Sequence, residues 1–416
     1  MCELIINGGR RLDGEICVQG SKNAVLPVLA ATILTDEECV IHNCPHLADT
    51  KTALEILTSL GCSTELENGT LKVCAKGADN TIVPKSLMQK MRSSVSFMGA
   101  ILARGGEAVL YRPGGCRLGE RPIDIHVSSL MRLGAEVYEC GDCICSRLKE
   151  VKSGDITLLY PSVGVTENIM LMCAGKNCEV RIFNPAREPE IVELQNFLNM
   201  MGADIRGAGS DLIRICSASG LHGCEYTIMQ DRIAAATYAC MTAGCGGELL
   251  LRGAAYEHMR MVAAVLSEAG CLVLQTDDGV LIKSDGVLSG VHKIKTLPYP
   301  GFPTDAQPIL SAAFAASDGV LKISETIFEN RFSYVPELIK MGADITQNES
   351  SIELRGVSTL SGGTVAAKDL RGGAALVAAG LVAKGTTIVS GVEYIDRGYE
   401  KIEEVLRRLG ADIRRI

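Results

Sequence analysis

The chain of 416 residues carries 41 lysine and arginine residues against 49 aspartate and glutamate residues, a formal net charge of −8. A net acidic chain lacks the basic field that non-specific binding to nucleic acid or acidic membranes requires, so we expect neither as a partner. The length exceeds what one hydrophobic core supports and predicts two or three domains.

Apolar residues make up 47% of the chain, aromatic residues only 4%, and tryptophan is absent. We therefore expect cores built from alanine, valine, leucine, isoleucine and methionine. The 17 cysteines are an odd number in a chain far too long for a small disulfide scaffold, and the opening residues do not resemble a secretion signal. Since no apolar run reaches about 18 residues, these features predict a soluble cytoplasmic protein with free thiols.

An internal repeat is the clearest pattern along the chain. Six times, a predicted helix ends in glycine, which is followed by alanine or cysteine and the start of a strand. The glycines lie 68 to 73 residues apart, at Gly61, Gly134, Gly202, Gly270, Gly342 and Gly410. Each occupies the position after a helix where a left-handed residue is favoured. This nearly constant period predicts six structural repeats.

Two kinds of helix are predicted to alternate within the repeats. One kind is apolar on all sides and rich in small residues, which is typical of a helix inside a core. These segments are residues 22–34, 91–103, 165–174, 231–243, 304–316 and 369–383. The other kind is amphipathic and precedes the repeat glycine, as in residues 188–201, 257–269 and 399–409. Short alternating segments after each glycine predict strands joined by turns.

These elements predict an α/β (α+β) protein. Six units grouped three and three give two domains of similar build, with helices inside and sheets outside. The period alone does not establish that grouping.

A glycine-hinged loop carries the most reactive candidate side chain. Gly114 and Gly115 permit backbone angles that other residues avoid, and Cys116 follows them. Its neighbours Arg112, Arg117 and Arg121 are positively charged, which lowers a thiol pKa and favours the thiolate. Pro122 is suited to the first turn of a helix, whose N-terminus can hold an anion. The alternative is a surface loop with an incidental cysteine.

Charged residues also stand where the predicted helices begin. Arginine or lysine at a helix N-terminus is unfavourable unless an anion is bound there, so the pattern indicates a phosphate or carboxylate ligand. Solvated surface side chains are the alternative for any one of them. The residues are Lys22, Arg92, Arg232, Asp305 and Arg371 at the buried helices, and Arg121, Arg331 and Arg397 at the amphipathic ones.

Six longer motifs resemble one protein family. They are Gly20-Ser21-Lys22-Asn23-Ala24, Pro113-Gly114-Gly115-Cys116 with Gly119, Arg121-Pro122 and Asp124, Asn184-Pro185-Ala186-Arg187-Glu188-Pro189-Glu190, Phe302-Pro303-Thr304-Asp305, Phe328-Glu329-Asn330-Arg331-Phe332 and Asp396-Arg397-Gly398-Tyr399-Glu400. Together they run through the whole chain. The sequence resembles the enolpyruvyl transferase family, and within it the enzymes that act on UDP-N-acetylglucosamine in peptidoglycan synthesis.

The resemblance implies a pair of inside-out α/β barrels, each of three repeats, which agrees with the six-unit count. One lobe is expected to hold residues 22–229 with the Cys116 loop, and the other residues 1–21 with 230–416. The local pattern does not predict this exchange of the N-terminal segment.

The implied reaction is transfer of enolpyruvyl from phosphoenolpyruvate to the 3-hydroxyl of UDP-N-acetylglucosamine, with release of phosphate. An addition to the enol carbon needs an acid at its neighbouring methylene and a base at the hydroxyl. Three negative groups must be held together, which requires a cluster of cations. The alternatives are the related transferase acting on shikimate 3-phosphate and a non-catalytic UDP-sugar-binding regulatory paralogue.

Site residues follow from the resemblance, position by position, and no metal, cofactor or obligate protein partner is implied. Cys116 is expected to be the acid, Asp305 the base, and Lys22 and Arg397 further catalytic residues. The residues implied to bind phosphoenolpyruvate are Lys22, Asn23, Arg121, Arg331, Arg371 and Arg397. The residues implied to bind UDP-N-acetylglucosamine are Arg92, Arg121, Pro122, Ile123, Asp124, Ile125, Ser162, Val163, Gly164, Asp305 and Ile327.

Tyr160 and a group of three cysteines need separate interpretation. Tyr160 stands where family members often have lysine, which places one nucleotide phosphate contact in doubt. Cys140, Cys143 and Cys145 could indicate a metal cluster, but they lack a second pair at zinc-site spacing and fall on a predicted hairpin. The positive neighbours that lower the thiol pKa of Cys116 also lead us to expect that fosfomycin alkylates this residue.

Overall fold

The computed structural model describes residues 2–111, 123–218 and 220–416, with the backbone but not the side chain of Arg92. The described residues form two compact units. One unit holds residues 2–19 and 230–416, and the other holds residues 20–111, 123–218 and 220–229. The chain therefore passes from one unit to the other between Gln19 and Gly20 and again between Met229 and Gln230.

Short strands recur along the described residues in a regular sequence. The strands are β1 Leu4–Asn7, β2 Gly14–Cys17, β3 Cys39–His42, β4 Ser63–Glu67, β5 Thr70–Cys74, β6 Ile82–Val83, β7 Glu107–Tyr111, β8 Glu136–Cys140, β9 Cys143–Arg147, β10 Gly154–Thr157, β11 Val180–Phe183, β12 Asp204–Arg206, β13 Leu212–Cys216, β14 Glu225–Thr227, β15 Gly247–Arg252, β16 Leu272–Thr276, β17 Gly279–Ser284, β18 Val291–Lys295, β19 Val320–Ser324, β20 Asp344–Gln347, β21 Ser351–Arg355, β22 Thr364–Ala366, β23 Thr386–Ser390 and β24 Asp412–Arg415.

The helices are interleaved with these strands. The α-helices are α1 Lys22–Ala31, α2 Ala48–Leu60, α3 Lys85–Lys90, α4 Phe97–Gly105, α5 Asp124–Arg132, α6 Val163–Cys173, α7 Pro189–Met200, α8 Arg232–Cys245, α9 Arg260–Glu268, α10 Gln307–Ala315, α11 Val335–Lys340, α12 Leu370–Val382, α13 Val392–Ile395 and α14 Ile402–Arg408. Short 3₁₀ helices span Thr32–Leu34, Arg92–Ser96, Tyr256–Met259 and Arg331–Tyr334. No helix among the described residues is long and apolar enough to cross a membrane.

The strands pair into six four-stranded sheets of one design. Each sheet has one parallel pair of strands at one edge, and its other neighbouring strands are antiparallel. The unit of residues 20–229 holds β14-β3-β5-β4, β6-β7-β9-β8 and β10-β11-β13-β12, and the other unit holds β2-β15-β17-β16, β18-β19-β21-β20 and β22-β23-β1-β24. Six equivalent sheets, three in each unit, confirm the predicted repeats.

The helices predicted to be apolar on all sides form the centre of each unit. In one unit α8, α10 and α12 pack against one another, and in the other α1, α4 and α6 do so. Nearly all residues of these six helices are buried. The prediction of helices inside and sheets outside is therefore confirmed.

The repeat glycines have the predicted backbone conformation. Gly61, Gly134, Gly202, Gly270, Gly342 and Gly410 all have positive φ, between 93° and 108°. Each follows a helix and turns the chain into the next strand, which other residues would do only under strain.

Two strands exchange places between the repeats. β2 pairs with β15, although β15 is more than 200 residues further along the chain. β14, which immediately precedes α8, pairs with β3 near the N-terminus. β2 and β14 thus each lie parallel to the strand that follows a central helix, β15 and β3 respectively. Both sheets therefore keep the common design.

Candidate active site

Lys22 is the first residue of α1, and a carboxylate on the neighbouring helix α2 balances its charge. Ser21 caps α1 by accepting a hydrogen bond from Ala24 N at 3.3 Å. The Lys22 ammonium pairs with Asp49 Oδ2 at 2.8 Å, and both side chains are almost fully buried. Asn23, which follows, is half-buried. The predicted cation therefore stands at a helix N-terminus beside a buried carboxylate that fixes its position.

The two segments predicted to bind nucleotide sugar open neighbouring helices. Residues 123–125 lie at the start of α5 and residues 162–164 at the start of α6, and these helices pack together. His126 on α5 lies against Gly164, where an added Cβ would be 3.1 Å from the imidazole Cε1. Asn168 on α6 donates to His126 Nδ1 at 3.0 Å and to Gly164 O at 3.2 Å.

The surroundings of His126 favour the neutral imidazole. Burial lowers the pKa of its imidazole to about 4. The side-chain Oδ1 of Asn168 accepts from Gly99 N at 2.7 Å, which directs the Asn168 NH₂ group toward His126. A ring nitrogen that accepts this bond carries no proton, so the hydrogen-bond pattern and the lowered pKa agree.

The same helix fixes the segment that begins with Arg92. Asn168 donates to Val95 O at 3.1 Å, and Ser96 donates to Glu167 Oε2 at 2.8 Å. Burial raises the pKa of Glu167 to about 8, although the Ser96 hydrogen bond opposes the shift. These bonds hold the 3₁₀ helix Arg92–Ser96 against α6.

In the other unit, Asp305 lies between two buried arginines. Arg331 donates to Asp305 Oδ1, and Arg371 Nε donates to Asp305 Oδ2 at 3.2 Å. The arginine side chains are 1% and 2% exposed, whereas Asp305 is 27% exposed. A carboxylate held through both oxygens, with part of its surface accessible, is oriented for proton acceptance.

Arg371 is itself held from several sides. Asp369 caps α12 by accepting from Arg371 N at 3.1 Å and from Gly372 N at 2.9 Å. The guanidinium lies 5.3 Å from the ring centroid of Tyr399, whose hydroxyl is 2.8 Å from that of Thr237. Burial opposes the charged form, but Tyr399 and Asp305 outweigh it and raise the pKa of Arg371. Its buried Nη1 has no hydrogen-bond partner among the described residues, which leaves donors for an anion.

Arg397 lies in the connection between α13 and α14. We expected it at the start of an amphipathic helix, and this expectation was wrong, because α14 begins only at Ile402, after Lys401 in a left-handed conformation. The Gln19 side-chain amide fixes this connection: it donates to Gly398 O at 3.1 Å and accepts from Glu400 N at 2.9 Å.

Other predicted site residues are exposed, half-buried or outside the described residues. Asp124 and Ile125 are exposed, and Ile123, Ser162, Val163, Gly164 and Ile327 are half-buried. Tyr160, at the departure from the family pattern, is 42% exposed. Cys116, Arg121 and Pro122 lie outside the described residues, as does the Arg92 side chain.

Arg331 and Arg371 thus both contact Asp305 in one unit, and the helices that open near residues 123–125 and 162–164 pack together in the other. Asp49, Asn168 and Asp369 hold predicted site residues in place and were not predicted from the sequence. Asp369 carried a usable signal, because aspartate directly before a helix is a common N-cap. Asp49 and Asn168 lie inside helices and had no such signal.

The cysteine group does not form a metal centre. Cys140 and Cys143 face each other across the β8–β9 hairpin, and Cys145 lies on the same strand as Cys143, as predicted. Within the described ranges, no group of three or more histidine, cysteine, aspartate or glutamate side chains could hold a metal ion.

Comparisons with known structures define the class of fold. The enolpyruvyl transferase NikO from Streptomyces tendae covers 100% of this chain with a TM-score of 0.89 at 24% identity, and 98% of that chain is covered. An EPSP synthase from Acinetobacter baumannii covers 100% of both chains with a TM-score of 0.77 at 19% identity. The protein therefore has the enolpyruvyl transferase fold.

Sequence comparisons assign the chain within that class. The profile of the family described as EPSP synthase (3-phosphoshikimate 1-carboxyvinyltransferase) matches residues 6–406. UDP-N-acetylglucosamine 1-carboxyvinyltransferase 2 of Caldanaerobacter subterraneus subsp. tengcongensis is 47% identical over 99% of both chains. UDP-N-acetylglucosamine 1-carboxyvinyltransferase 1 of Carboxydothermus hydrogenoformans is 43% identical over 100% of this chain and 99% of its own. The chain belongs to the UDP-N-acetylglucosamine 1-carboxyvinyltransferase family of transferases.

Proposed function

We propose that this protein transfers enolpyruvyl from phosphoenolpyruvate to the 3-hydroxyl of UDP-N-acetylglucosamine and releases phosphate, the first committed step of peptidoglycan biosynthesis. The observation that carries the proposal is the 47% identity over 99% of both chains with a relative named for this activity. The reaction takes place in the cytoplasm, and it requires neither nucleic acid, membrane nor an obligate protein partner.

Asp305 is the base of the proposed reaction. It takes the proton of the sugar 3-hydroxyl as the oxygen attacks C2 of phosphoenolpyruvate. Contacts from Arg331 and Arg371 to the two carboxylate oxygens support this role, because they hold the acceptor in one orientation. Cys116 adds a proton to the methylene C3, which makes C2 electrophilic. In the second step C3 loses a proton to the Cys116 thiolate, the double bond returns, and phosphate leaves with the proton that Asp305 took up.

Positive side chains hold the negative groups of phosphoenolpyruvate. Lys22, Arg121 and Arg397 bind the phosphate and carboxylate, with Asn23 beside Lys22. Arg331 and Arg371 add positive charge next to Asp305. The Nη1 of Arg371 has no hydrogen-bond partner in the part of the chain that the structure describes, which supports a contact with an anion. Fixed cations of this kind stabilise charge that develops during phosphate departure.

The residues proposed to contact the nucleotide sugar follow from the resemblance, position by position. In the lobe of residues 22–229, which carries the Cys116 loop, they are Arg92, residues 121–125 and residues 162–164. In the lobe of residues 1–21 and 230–416 they are Asp305 and Ile327. Tyr160, which stands where the family often has lysine, contributes no positive charge to the diphosphate.

A phosphate-release assay tests the proposal. We expect phosphate only when phosphoenolpyruvate and UDP-N-acetylglucosamine are both present, and none with shikimate 3-phosphate as the acceptor. Release with shikimate 3-phosphate would favour the activity named in the family profile. Tight UDP-sugar binding without any release would favour a regulatory paralogue.

Substitutions assign the acid and the base. Cys116→Ala and Asp305→Asn are each expected to lower kcat by about 10²- to 10⁴-fold, the usual contribution of a general acid or base. The control is Asp412→Asn at an exposed ion pair with Arg10, which is expected to leave kcat unchanged. Thermal unfolding of each variant separates lost chemistry from lost folding. Near-normal phosphate release by Cys116→Ala would show that the acid is another group.

Fosfomycin is expected to add its mass to wild type but not to Cys116→Ala.

A further inference from the structure

Glu325 is a buried carboxylate bound to the residue before the proposed base, and the proposed reaction assigns it no part. Glu325 follows β19 and is 5% exposed. Its Oε1 accepts from Thr296 Oγ1 at 2.9 Å, from Ile327 N at 2.8 Å and from Phe328 N at 3.1 Å. Its Oε2 accepts from Thr304 Oγ1 at 3.0 Å. A buried carboxylate is costly unless its oxygens are hydrogen-bonded, and these four donors satisfy it.

The two carboxylate oxygens hold two different segments. Oε1 fixes the backbone at Ile327 and Phe328, and the Phe328 ring lies 5.4 Å from the Arg331 guanidinium. Oε2 fixes Thr304, the residue before Asp305. A single side chain thus joins the segment of the proposed sugar contact to the segment of the proposed base.

Thr304 passes this restraint on to the Asp305 carboxylate. Arg331 Nε and Nη2 donate to the Thr304 carbonyl at 3.1 and 3.0 Å, and Nη2 also donates to Asp305 Oδ1. Arg331 is therefore bound to the backbone that Glu325 holds and to the carboxylate that accepts the proton. A shift of Thr304 would move both groups.

We propose that Glu325 is a positioning residue for the transfer reaction, which sets the Asp305 carboxylate and the Ile327 backbone relative to each other through Thr304. It acts without touching substrate. The inference rests on the proposed function, because it takes Asp305 as the base and Ile327 as a sugar contact. A misplacement of about 1 Å at a reacting group can lower the rate by roughly 100-fold.

Four variants separate this positioning role from a general effect on stability. Glu325→Ala is expected to lower kcat 10- to 100-fold. Glu325→Gln is expected to stay within about threefold of wild type, because its amide oxygen can accept the Oε1 bonds and its NH₂ group can donate to the Thr304 hydroxyl. Thr304→Val removes only the link to Oε2 and is expected to lower kcat about tenfold, whereas Thr304→Ser keeps the hydroxyl and the rate.

A matched control uses another buried threonine of the same unit. The Thr387 hydroxyl is fully buried on β23 and has no hydrogen-bond partner among the described residues. Thr387→Val makes the same chemical change as Thr304→Val without breaking a link to the site, and we expect unchanged kcat. We also expect Thr387→Val to keep the KM for phosphoenolpyruvate within twofold of wild type, because that change leaves Thr304, Arg331 and Asp305 in place.

The measurement is phosphate release under saturating and limiting substrate, with thermal unfolding of each variant. If Glu325→Ala does not fold, Thr304→Val and Thr304→Ser still decide the question. Wild-type kcat in both Glu325→Ala and Thr304→Val would overturn the inference and leave the proposed function intact. If wild type uses an acceptor other than UDP-N-acetylglucosamine, the series is run with that acceptor, and the same pattern of rates supports positioning although the proposed substrate is wrong. An inactive wild type would overturn both.

Discussion

Single charged side chains in both units are held by buried partners of opposite charge. Lys22 pairs with the buried Asp49, and Asp305 is held by Arg331 and Arg371. Removing one member of a buried charge pair leaves the other uncompensated, which usually costs about 3–5 kcal/mol. Substitutions at these positions therefore change stability together with activity, and each kinetic result needs an unfolding measurement beside it.

The protonation of His126 makes the stability of the fold depend on pH. Its folded-state pKa of about 4 lies below the usual value of about 6.5. Between these values the unfolded chain takes up a proton that the folded protein does not, so stability falls as the pH falls from about 6.5 toward 4. By this linkage we expect a loss of about 2 kcal/mol at pH 5 relative to pH 7.

Urea unfolding of wild type and His126→Asn at the two pH values measures this loss. The difference in stability between the two proteins is expected to shrink by about 2 kcal/mol at pH 5, because the asparagine variant lacks the titrating group. Proton NMR provides a second measure: the imidazole signal missing from His126→Asn should be that of a neutral ring at pH 5.5. An equal difference at both pH values, or a charged ring at pH 5.5, would contradict the assignment.

At the scale of helices and strands, composition was a good guide to burial and a poorer one to boundaries. Runs of small apolar residues predicted all six central helices, because a helix without a polar face has no other stable place. The predicted helix over residues 91–103 divides into a 3₁₀ helix and α4, and the predicted helix over 399–409 begins only at Ile402. Both differences arise at N-termini, where capping and side-chain hydrogen bonds decide and periodicity carries little information.

The contact between α4 and α6 predicts a strong effect from one methyl group. A Cβ at Gly99 would lie 2.2 Å from the main-chain carbonyl oxygen of Asn168, so the backbone of one of the two helices would have to move. We expect Gly99→Ala to destabilise the protein by about 2 kcal/mol, since overpacking costs roughly 1–3 kcal/mol and outweighs the helix propensity of alanine.

Gly363→Ala is the matched control for this contact. A Cβ at Gly363 would meet no atom within 4 Å. Its stability is therefore expected to stay within about 0.5 kcal/mol of wild type, the usual range for surface changes. Both values come from urea unfolding at pH 7. Equal stability of the two variants would mean that α4 and α6 do not approach as closely as described.

At the scale of the whole molecule, the repeats were predictable and the exchange of strands was not. The period of the glycines reports each local unit, because every unit ends its helix in the same way. β2 and β14 occupy equivalent positions in two different sheets. Either strand satisfies the same local pattern, so the choice of partner depends on contacts distant in sequence. The resemblance to a family, rather than the pattern, indicated that the N-terminal segment joins residues 230–416. The exact division into lobes at 22–229 stays a prediction.

The N-terminal strand β1 completes the sheet of the last repeat. It lies between β23 and β24 and is antiparallel to both. Leu4 and Ile6 are fully buried. Glu3 N donates to Ile416 O and Ile416 N donates to Glu3 O, both at 3.0 Å, so these residues form a hydrogen-bonded pair across neighbouring antiparallel strands. A two-residue turn is the natural connection between such a pair.

A circular permutant tests whether this repeat needs only the strand and not its position in the chain. The permutant begins at Arg10, runs to Ile416, continues through an Asn-Gly turn and ends with residues 3–9. We expect it to fold with a thermal midpoint within a few degrees of wild type and to retain activity, because every strand keeps its neighbours.

The matched truncation begins at Arg10 and lacks β1. It loses two buried side chains, worth about 1.5–3 kcal/mol each, and leaves β23 and β24 with unpaired edges. The truncation should therefore unfold or aggregate at the growth temperature. A stable truncation would show that β1 contributes little to the sixth sheet, and a misfolded permutant would show that the sheet requires the N-terminal strand to be reached from β2.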